Sequence, residues 1–224
     1  MLSISTLHAV DYYTQDTNEA FAYYGDAGSK SETDPAGRWV GGLANRYFPV
    51  GQVVTPEHFA ALFFGFDPVT GAALTKSADQ LGFDLWKAEQ EVRKLAPTDS
   101  AKEAKNRVQT LRSQLLQREC SGEHRNHRAG IDLTFSAPKD FSLLIAAASP
   151  EERERLLAAW GSAVEATLKT AEQRYAKTRM RVGKGELIKD GIAGSAIAMF
   201  EHISARPVGD LPPDPDVHLH CVMF

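Results

Sequence analysis

Residues 217–224 read Val217-His218-Leu219-His220-Cys221-Val222-Met223-Phe224. No Gly, Pro, Asn or Asp interrupts the run, and it reads as a strand. Side chains at i and i+2 point to the same face of a strand. His218 and His220 therefore project together, while Val217, Leu219 and Cys221 face the other way. One face is suited to a core and the other carries two imidazoles. Two neutral imidazoles on a rigid strand form a bidentate platform for a metal ion. A His-x-His pair alone is a weak signal, because strands carry it by chance.

Working back along the chain, Arg206 to Asp216 is a Pro-rich loop, and Ser195 to Ser204 reads as another strand. A long loop that returns the chain antiparallel brings His202 beside His218 and His220. Three histidines on adjacent strands make a three-ligand site with open positions, the arrangement of a catalytic metal. The competing reading is a solvent-facing sheet surface with chance histidines. A cupin-like oxygenase would use the same ligands, so the triad alone does not fix a reaction. The other four of the seven histidines, His8, His58, His124 and His127, show no partner pattern.

Further back, Ile131-Asp132-Leu133-Thr134-Phe135 alternates cleanly and reads as a strand with one apolar face. Asp132 lies on its polar face, as a strand-edge carboxylate or a hydrogen-bond partner for a histidine. Met1 to Leu7 fits a short strand. Ser149-Pro150-Glu151-Glu152 is a helix start, with a Ser cap, Pro in the first turn and Glu three residues after Ser. Leu156, Trp160, Val164, Leu168, Ala171 and Tyr175 then line one core-facing side of a long helix that Gly183 and Gly185 break. Residues 84–119 read as a helical hairpin, its first helix ended by Pro97 and its second capped by Thr98 or Asp99. Ala9 to Tyr24 is helical in character, and Asp26 to Gly42 is a turn-rich loop.

Four of the six tyrosines fall in two doublets, Tyr12-Tyr13 and Tyr23-Tyr24. Aromatics near an N-terminus are usually core residues, yet a doublet on a helix exposes at least one ring. A tyrosine is a poor nucleophile at neutral pH, with a pKa of about 10, unless a base or positive charge assists it.

Composition bounds the rest. The 224 residues carry 25 Lys+Arg against 29 Asp+Glu, a net charge of −4. Apolar residues at 43% and charged residues at 24% are ordinary globular values and argue against a wholly disordered chain. No apolar run approaches a membrane span, and no secretory signal opens the chain. Cys120 and Cys221 provide no disulfide framework, so the default compartment is a reducing cytoplasm. The acidic balance argues against a nucleic-acid protein only as a whole. Residues 1–80 hold 4 basic and 9 acidic side chains, whereas Arg174 to Lys189 holds six basic residues against Glu186 alone. That stretch reads either as a solvated helix end or as a phosphate-binding patch containing Arg179, Arg181 and Lys184.

Taken in order, four pieces resemble the conjugative relaxases of the MobF (TrwC/TraI) class, within the HUH endonucleases. They are Met1-Leu2-Ser3 followed by the tyrosine doublets; Gly130 to Lys139 (Gly-Ile-Asp-Leu-Thr-Phe-Ser-Ala-Pro-Lys); Phe200-Glu201-His202 with Ser204 and Arg206; and Asp214-Pro215-Asp216-Val217-His218-Leu219-His220. The resemblance implies an α+β fold with a central antiparallel sheet flanked by helices, as in replication initiators, and marks the hairpin 84–119 as an insertion. It implies that His202, His218 and His220 hold a divalent cation, Mg²⁺ or Mn²⁺. It implies that Tyr12 attacks a scissile phosphate of single-stranded DNA at a transfer origin, leaving a 5′-phosphotyrosyl bond and a free 3′-hydroxyl. Tyr23 would serve a second transesterification, with Tyr13 and Tyr24 as the doublet partners. Asp132 would orient a ligating histidine or accept the tyrosine proton. The implied partners are single-stranded DNA, the origin hairpin and conjugation accessory proteins. In that family the relaxase domain continues past the paired-histidine strand, so the resemblance makes residues 1–224 a C-terminally truncated relaxase domain. The alternative is a catalytically weak module that binds single-stranded or hairpin DNA without cleaving it.

Overall fold

The computed structural model describes residues 1–7, 37–49, 51–95, 99–121, 129–182, 186–191, 194–205 and 213–224, with backbone alone at 99–101 and 178–191. Two compact units emerge, one from Met1–Thr55 with Gly130–Phe224 and one from Pro56–Ala129.

The first unit is built on a five-stranded antiparallel sheet. Its strands are β1 (Leu2–Thr6), β2 (Arg38–Val40), β3 (Ile131–Ser136), β6 (Ile197–Ser204) and β7 (Pro215–Met223), in the spatial order β1-β3-β7-β6-β2. A separate two-stranded ribbon pairs β4 (Lys177–Val182) with β5 (Glu186–Gly191). The helices of this unit are α1 (Ala44–Tyr47), α5 (Lys139–Ala147) and α6 (Pro150–Tyr175). The architecture is the expected α+β sheet with flanking helices.

Alternation in β7 explains why the sheet has two unlike faces. Leu219 and Cys221 join Ile197 and Met199 of β6 in one buried cluster with Val164 and Leu168 of α6, and Leu133, Phe135 and Trp160 pack around it. Burying side chains of this size contributes about 1.5–3 kcal/mol each. This apolar seam forces His218 and His220 onto the opposite face, because a slip of one residue would exchange the two faces.

Helix α6 begins as its sequence dictates. Ser149 Oγ accepts from the Glu152 backbone N–H, and the Glu152 carboxylate accepts from the Ser149 N–H, a complete capping box with Pro in the first turn. The helix ends at Tyr175, well before Gly183. The residues after it, Lys177-Thr178-Arg179-Met180-Arg181-Val182, alternate cationic side chains with Thr178, Met180 and Val182, and they pair as a ribbon. The helix-end reading therefore holds for Arg174, in the last turn of α6, and is overturned for Lys177, Arg179, Arg181 and Lys189, which lie on the ribbon. Tyr175 is also not a core residue, since it is 75% exposed. Arg38–Val40, expected within a loop, forms the edge strand β2, held by Trp39 buried against Phe48 with ring centroids 4.5 Å apart. The turn after β2 requires glycine at Gly41. Its φ is +98°, and a Cβ there would lie 2.4 Å from the Ser195 carbonyl oxygen.

The second unit contains α2 (Pro56–Phe64), α3 (Gln80–Lys94) and α4 (Asp99–Cys120). The hairpin expected over 84–119 is present as α3 and α4, with its first helix starting earlier than expected. Asp79 causes that start, because its side chain accepts from the Gly82 N–H at 3.1 Å. The same carboxylate takes a two-pronged bond from Arg118 at 2.6 and 3.0 Å, and Arg112 reaches Glu89 at 2.7 Å. These pairs set the register of the two helices.

Candidate metal centre

The register of the sheet gathers the histidines. His202 of β6 lies directly opposite His218 of β7, Phe200 opposite His220, and Thr134 of β3 opposite His220. The three rings form a nearly equilateral cluster, with centroids 5.2 Å apart for His202–His218, 5.5 Å for His202–His220 and 5.3 Å for His218–His220. Three imidazoles around one tetrahedral ion, at an ion–nitrogen distance of about 2.1 Å, have centroids roughly 5.3 Å apart. The ring spacing matches that of a tetrahedral site, but as the rings stand, no group of three or more His, Cys, Asp or Glu side chains among the described residues could hold a metal ion.

The second nitrogens are already assigned. His220 Nδ1 lies 2.9 Å from Asp132 Oδ2 and 3.2 Å from Thr134 Oγ1. His218 Nδ1 lies 2.9 Å from the Asp216 carbonyl oxygen. A carboxylate and a carbonyl can only accept, so in the neutral rings both Nδ1 atoms carry the hydrogen. Nε2 of each ring is then the lone-pair nitrogen, which is the ligating form. Burial is the main influence on His218, which is 8% exposed, and it holds the imidazole below its ordinary pKa. The donation to Asp216 opposes that shift, and the neighbouring His202 and His220 add to it.

The strand that carries the pair is fixed from outside the sheet. Beyond the end of β3, the Val217 N–H donates to Ser142 Oγ of α5 at 2.9 Å, and the Val217 carbonyl accepts from the Ala137 N–H. Lys139 Nζ donates to the Pro215 carbonyl at 2.9 Å. The first turn of α5 thus holds the start of β7, one residue before His218. Between His202 and Ser204 the β6–β7 register shifts. Such an irregularity re-aims side chains locally.

Of the residues expected from the sequence, Asp132, His202, His218 and His220 come together on one face. Tyr12, Tyr13, Tyr23, Tyr24 and Lys184 lie outside the described residues. Arg179 and Arg181 fall on β4, where the backbone register sets them opposite Lys189 and Leu187. Thr134, Ser142 and Asp216 were not singled out from the sequence. The alternation that placed Asp132 on the polar face also places Thr134 there, so that residue was readable. Ser142 carried no signal, because its partner is a backbone N–H that only the folded sheet leaves beyond the end of β3.

Comparison with known proteins follows the same direction. The family model described as TrwC relaxase matches residues 7–224. The multifunctional conjugation protein TraI of Escherichia coli is 32% identical over 97 residues, covering 43% of this chain and 5% of its own length. The structure is similar to a conjugative relaxase TrwC in complex with oriT DNA, free of metal, with a TM-score of 0.56 and 24% identity over 100% of this chain and 56% of that one. It is similar also to TrwC complexed with a 27-mer DNA comprising the recognition hairpin and the cleavage site, with a TM-score of 0.56, 24% identity, and 100% and 55% coverage. The chain thus spans little more than half the length of these solved relatives.

Proposed function

This chain belongs to the TrwC relaxase family, and from that premise we propose that it nicks and rejoins one DNA strand at a transfer origin by tyrosine transesterification. The observation that carries the reading is the cluster of His202, His218 and His220 at 5.2–5.5 Å, with Asp132 on the second nitrogen of His220. Family membership sets aside the cupin-like oxygenase. The related solved proteins are complexes with oriT DNA, among them a metal-bound and a copper-bound form.

In this reading His202, His218 and His220 hold a divalent cation; the family resemblance points to Mg²⁺ or Mn²⁺, whereas three imidazole nitrogens suit Zn²⁺, Ni²⁺ or Cu²⁺ better. When bound, the ion would polarise the scissile phosphate and offset its charge. Tyr12 is the nucleophile. Its oxygen bonds phosphorus as the bond to the 3′-oxygen breaks, and the products are a 5′-phosphotyrosyl chain and a free 3′-hydroxyl. Tyr23 acts in the second transfer, with Tyr13 and Tyr24 as doublet partners. The 2.9 Å contact between Asp132 and His220 favours the orienting role for Asp132. We read the α3–α4 hairpin as an insertion within the relaxase domain, and the cytoplasm as its compartment. Among the described residues, no helix is long and apolar enough to cross a membrane.

The β4–β5 ribbon supports a DNA partner. Its register puts positions 177, 179 and 181 opposite 191, 189 and 187, so these six positions share one face. Four of them are cationic, Lys177, Arg179, Arg181 and Lys189. A two-stranded ribbon fits a DNA groove, and cations contribute phosphate affinity that falls with salt. Together with Lys184 this is the element we assign to the origin hairpin.

The test is a covalent-adduct assay on an oligonucleotide or supercoiled plasmid carrying the adjacent transfer region, across a series of divalent ions. A 5′-linked adduct that disappears in Tyr12→Phe supports the reading. An adduct that persists in Tyr12→Phe refutes the nucleophile assignment. A salt-sensitive DNA shift with no adduct makes the chain a binding module instead.

A further inference from the structure

The Nδ1 atom of His220 faces two oxygens, and one of them is not part of the reading above. Asp132 Oδ2 approaches at 2.9 Å and Thr134 Oγ1 at 3.2 Å. Thr134 is the direct cross-strand partner of His220, whereas Asp132 pairs in register with Val222 and reaches His220 diagonally. Both residues come from one strand, two positions apart, so the pleat delivers both to the same ring. The Nδ1–H donates to the carboxylate, and the hydroxyl oxygen lies close enough to accept the same hydrogen as the longer arm of a shared bond.

We propose that Thr134 is a positioning residue, a second acceptor that keeps His220 in its Nδ1–H tautomer whether or not Asp132 holds the ring. With Asp132 alone, any rotation of the carboxylate away from the ring would release Nδ1–H inside a half-buried sheet face. The ring could then pass to the Nε2–H form, which has no lone pair to offer a metal. With Thr134 in place the hydrogen keeps an acceptor, so the ligating nitrogen is preserved. The consequence for metal binding rests on the three-histidine reading above. The tautomer itself is a property of the metal-free chain.

The experiment uses the whole chain labelled with ¹⁵N at histidine, at a pH about 1.5 units above the ordinary imidazole value so that the ring is neutral. Two-bond ¹H–¹⁵N spectra distinguish the tautomers. His220 is expected as Nδ1–H in the parent, in Thr134→Val and in Asp132→Ala, and to move into exchange with Nε2–H in the double variant. Thr134→Ser combined with Asp132→Ala should match Asp132→Ala alone. In parallel, Mn²⁺ titrated into each protein should bind the double variant about tenfold or more weaker than the product of the single effects predicts. A double variant that keeps Nδ1–H as fully as Asp132→Ala overturns the proposal. If the double variant does not fold, the single variants decide: Thr134→Val must move the His220 Nδ1–H resonance while Thr134→Ser leaves it, and an unmoved resonance in Thr134→Val overturns the proposal. The predicted tautomer pattern in a chain that binds no divalent ion would sustain the role of Thr134 and sink the metal reading.

Discussion

Asp132 of β3 and His220 of β7 meet diagonally across a strand pair, carboxylate oxygen to Nδ1 at 2.9 Å. Asp132 is only 4% exposed, so its charge has left water and depends on such partners. The contact shares with Thr134 the hold on the tautomer that leaves Nε2 to ligate, and it raises that nitrogen's basicity.

Replacing Asp132 by Ala is therefore expected to lower divalent-ion affinity by about 10–100-fold while leaving the sheet intact. Asp132→Asn should cost less, because the amide oxygen still accepts from Nδ1–H. His218→Ala should cost more than either, since it deletes a ligand. Calorimetric titration with Mn²⁺ and far-UV circular dichroism separate the two effects. Equal affinities for the parent and Asp132→Ala would show that the carboxylate does not tune the ligand.

A second prediction concerns the brace on β7. Ser142 is buried, and its hydroxyl takes the Val217 N–H at 2.9 Å. Ser142→Ala leaves that N–H buried without an acceptor, at a cost of about 1–3 kcal/mol. Urea unfolding should show a lower midpoint with an unchanged slope. Ser142→Thr keeps the oxygen and should recover part of the loss if the extra methyl is accommodated. A midpoint unmoved in Ser142→Ala would mean that Val217 finds another acceptor.

The polar face of the sheet was legible because β-alternation is a rigid rule. Once 217–224 and 131–135 are strands, the faces of His218, His220 and Asp132 follow from parity alone. His202 followed from the return of the chain after a long loop. The helical hairpin was legible from its 3/4 apolar spacing, and the start of α6 from its capping box. The residues around Lys177 to Gly191 were misread. The period of α6 runs smoothly to Tyr175, and nothing in its pattern announces that the next six residues alternate instead. Strand β2 was missed because it has three residues, too few to show a period. The brace through Ser142 was invisible for a different reason: side chain to backbone bonds across 75 residues leave no trace in local pattern.

The two cysteines differ in a measurable way. Cys120 is exposed on α4, and Cys221 is buried in the sheet core. Burial pushes the Cys221 thiol up to about 12, with the charge of Asp132 adding to the shift. The thiolate is the reactive species. At pH 8 a thiol reagent should therefore modify one group per chain quickly, and a second only after unfolding in denaturant. Peptide mapping should place the fast label on Cys120. Rapid double labelling of the native chain would contradict the packing of β7 against α6.

The last prediction follows from the capping box of α6. Glu152 accepts from the Ser149 hydroxyl at 2.7 Å and from the Ser149 N–H at 3.2 Å, and these bonds lower its pKa from the ordinary 4.5. A depressed carboxylate stabilises the fold above its unfolded pKa, and that contribution fades as pH falls through the lower, folded value. Glu152→Gln should thus be less stable than the parent at neutral pH, and the gap should close on acidification below the ordinary carboxylate range. Ser149→Ala removes the cap oxygen itself, which costs about 1 kcal/mol, and its deficit should persist where Glu152 is protonated. Urea midpoints for the three proteins across pH 3–7 check both statements (about the range over which a carboxylate titrates). A Glu152→Gln gap that stays constant over that range would show that the carboxylate charge does not contribute to the cap.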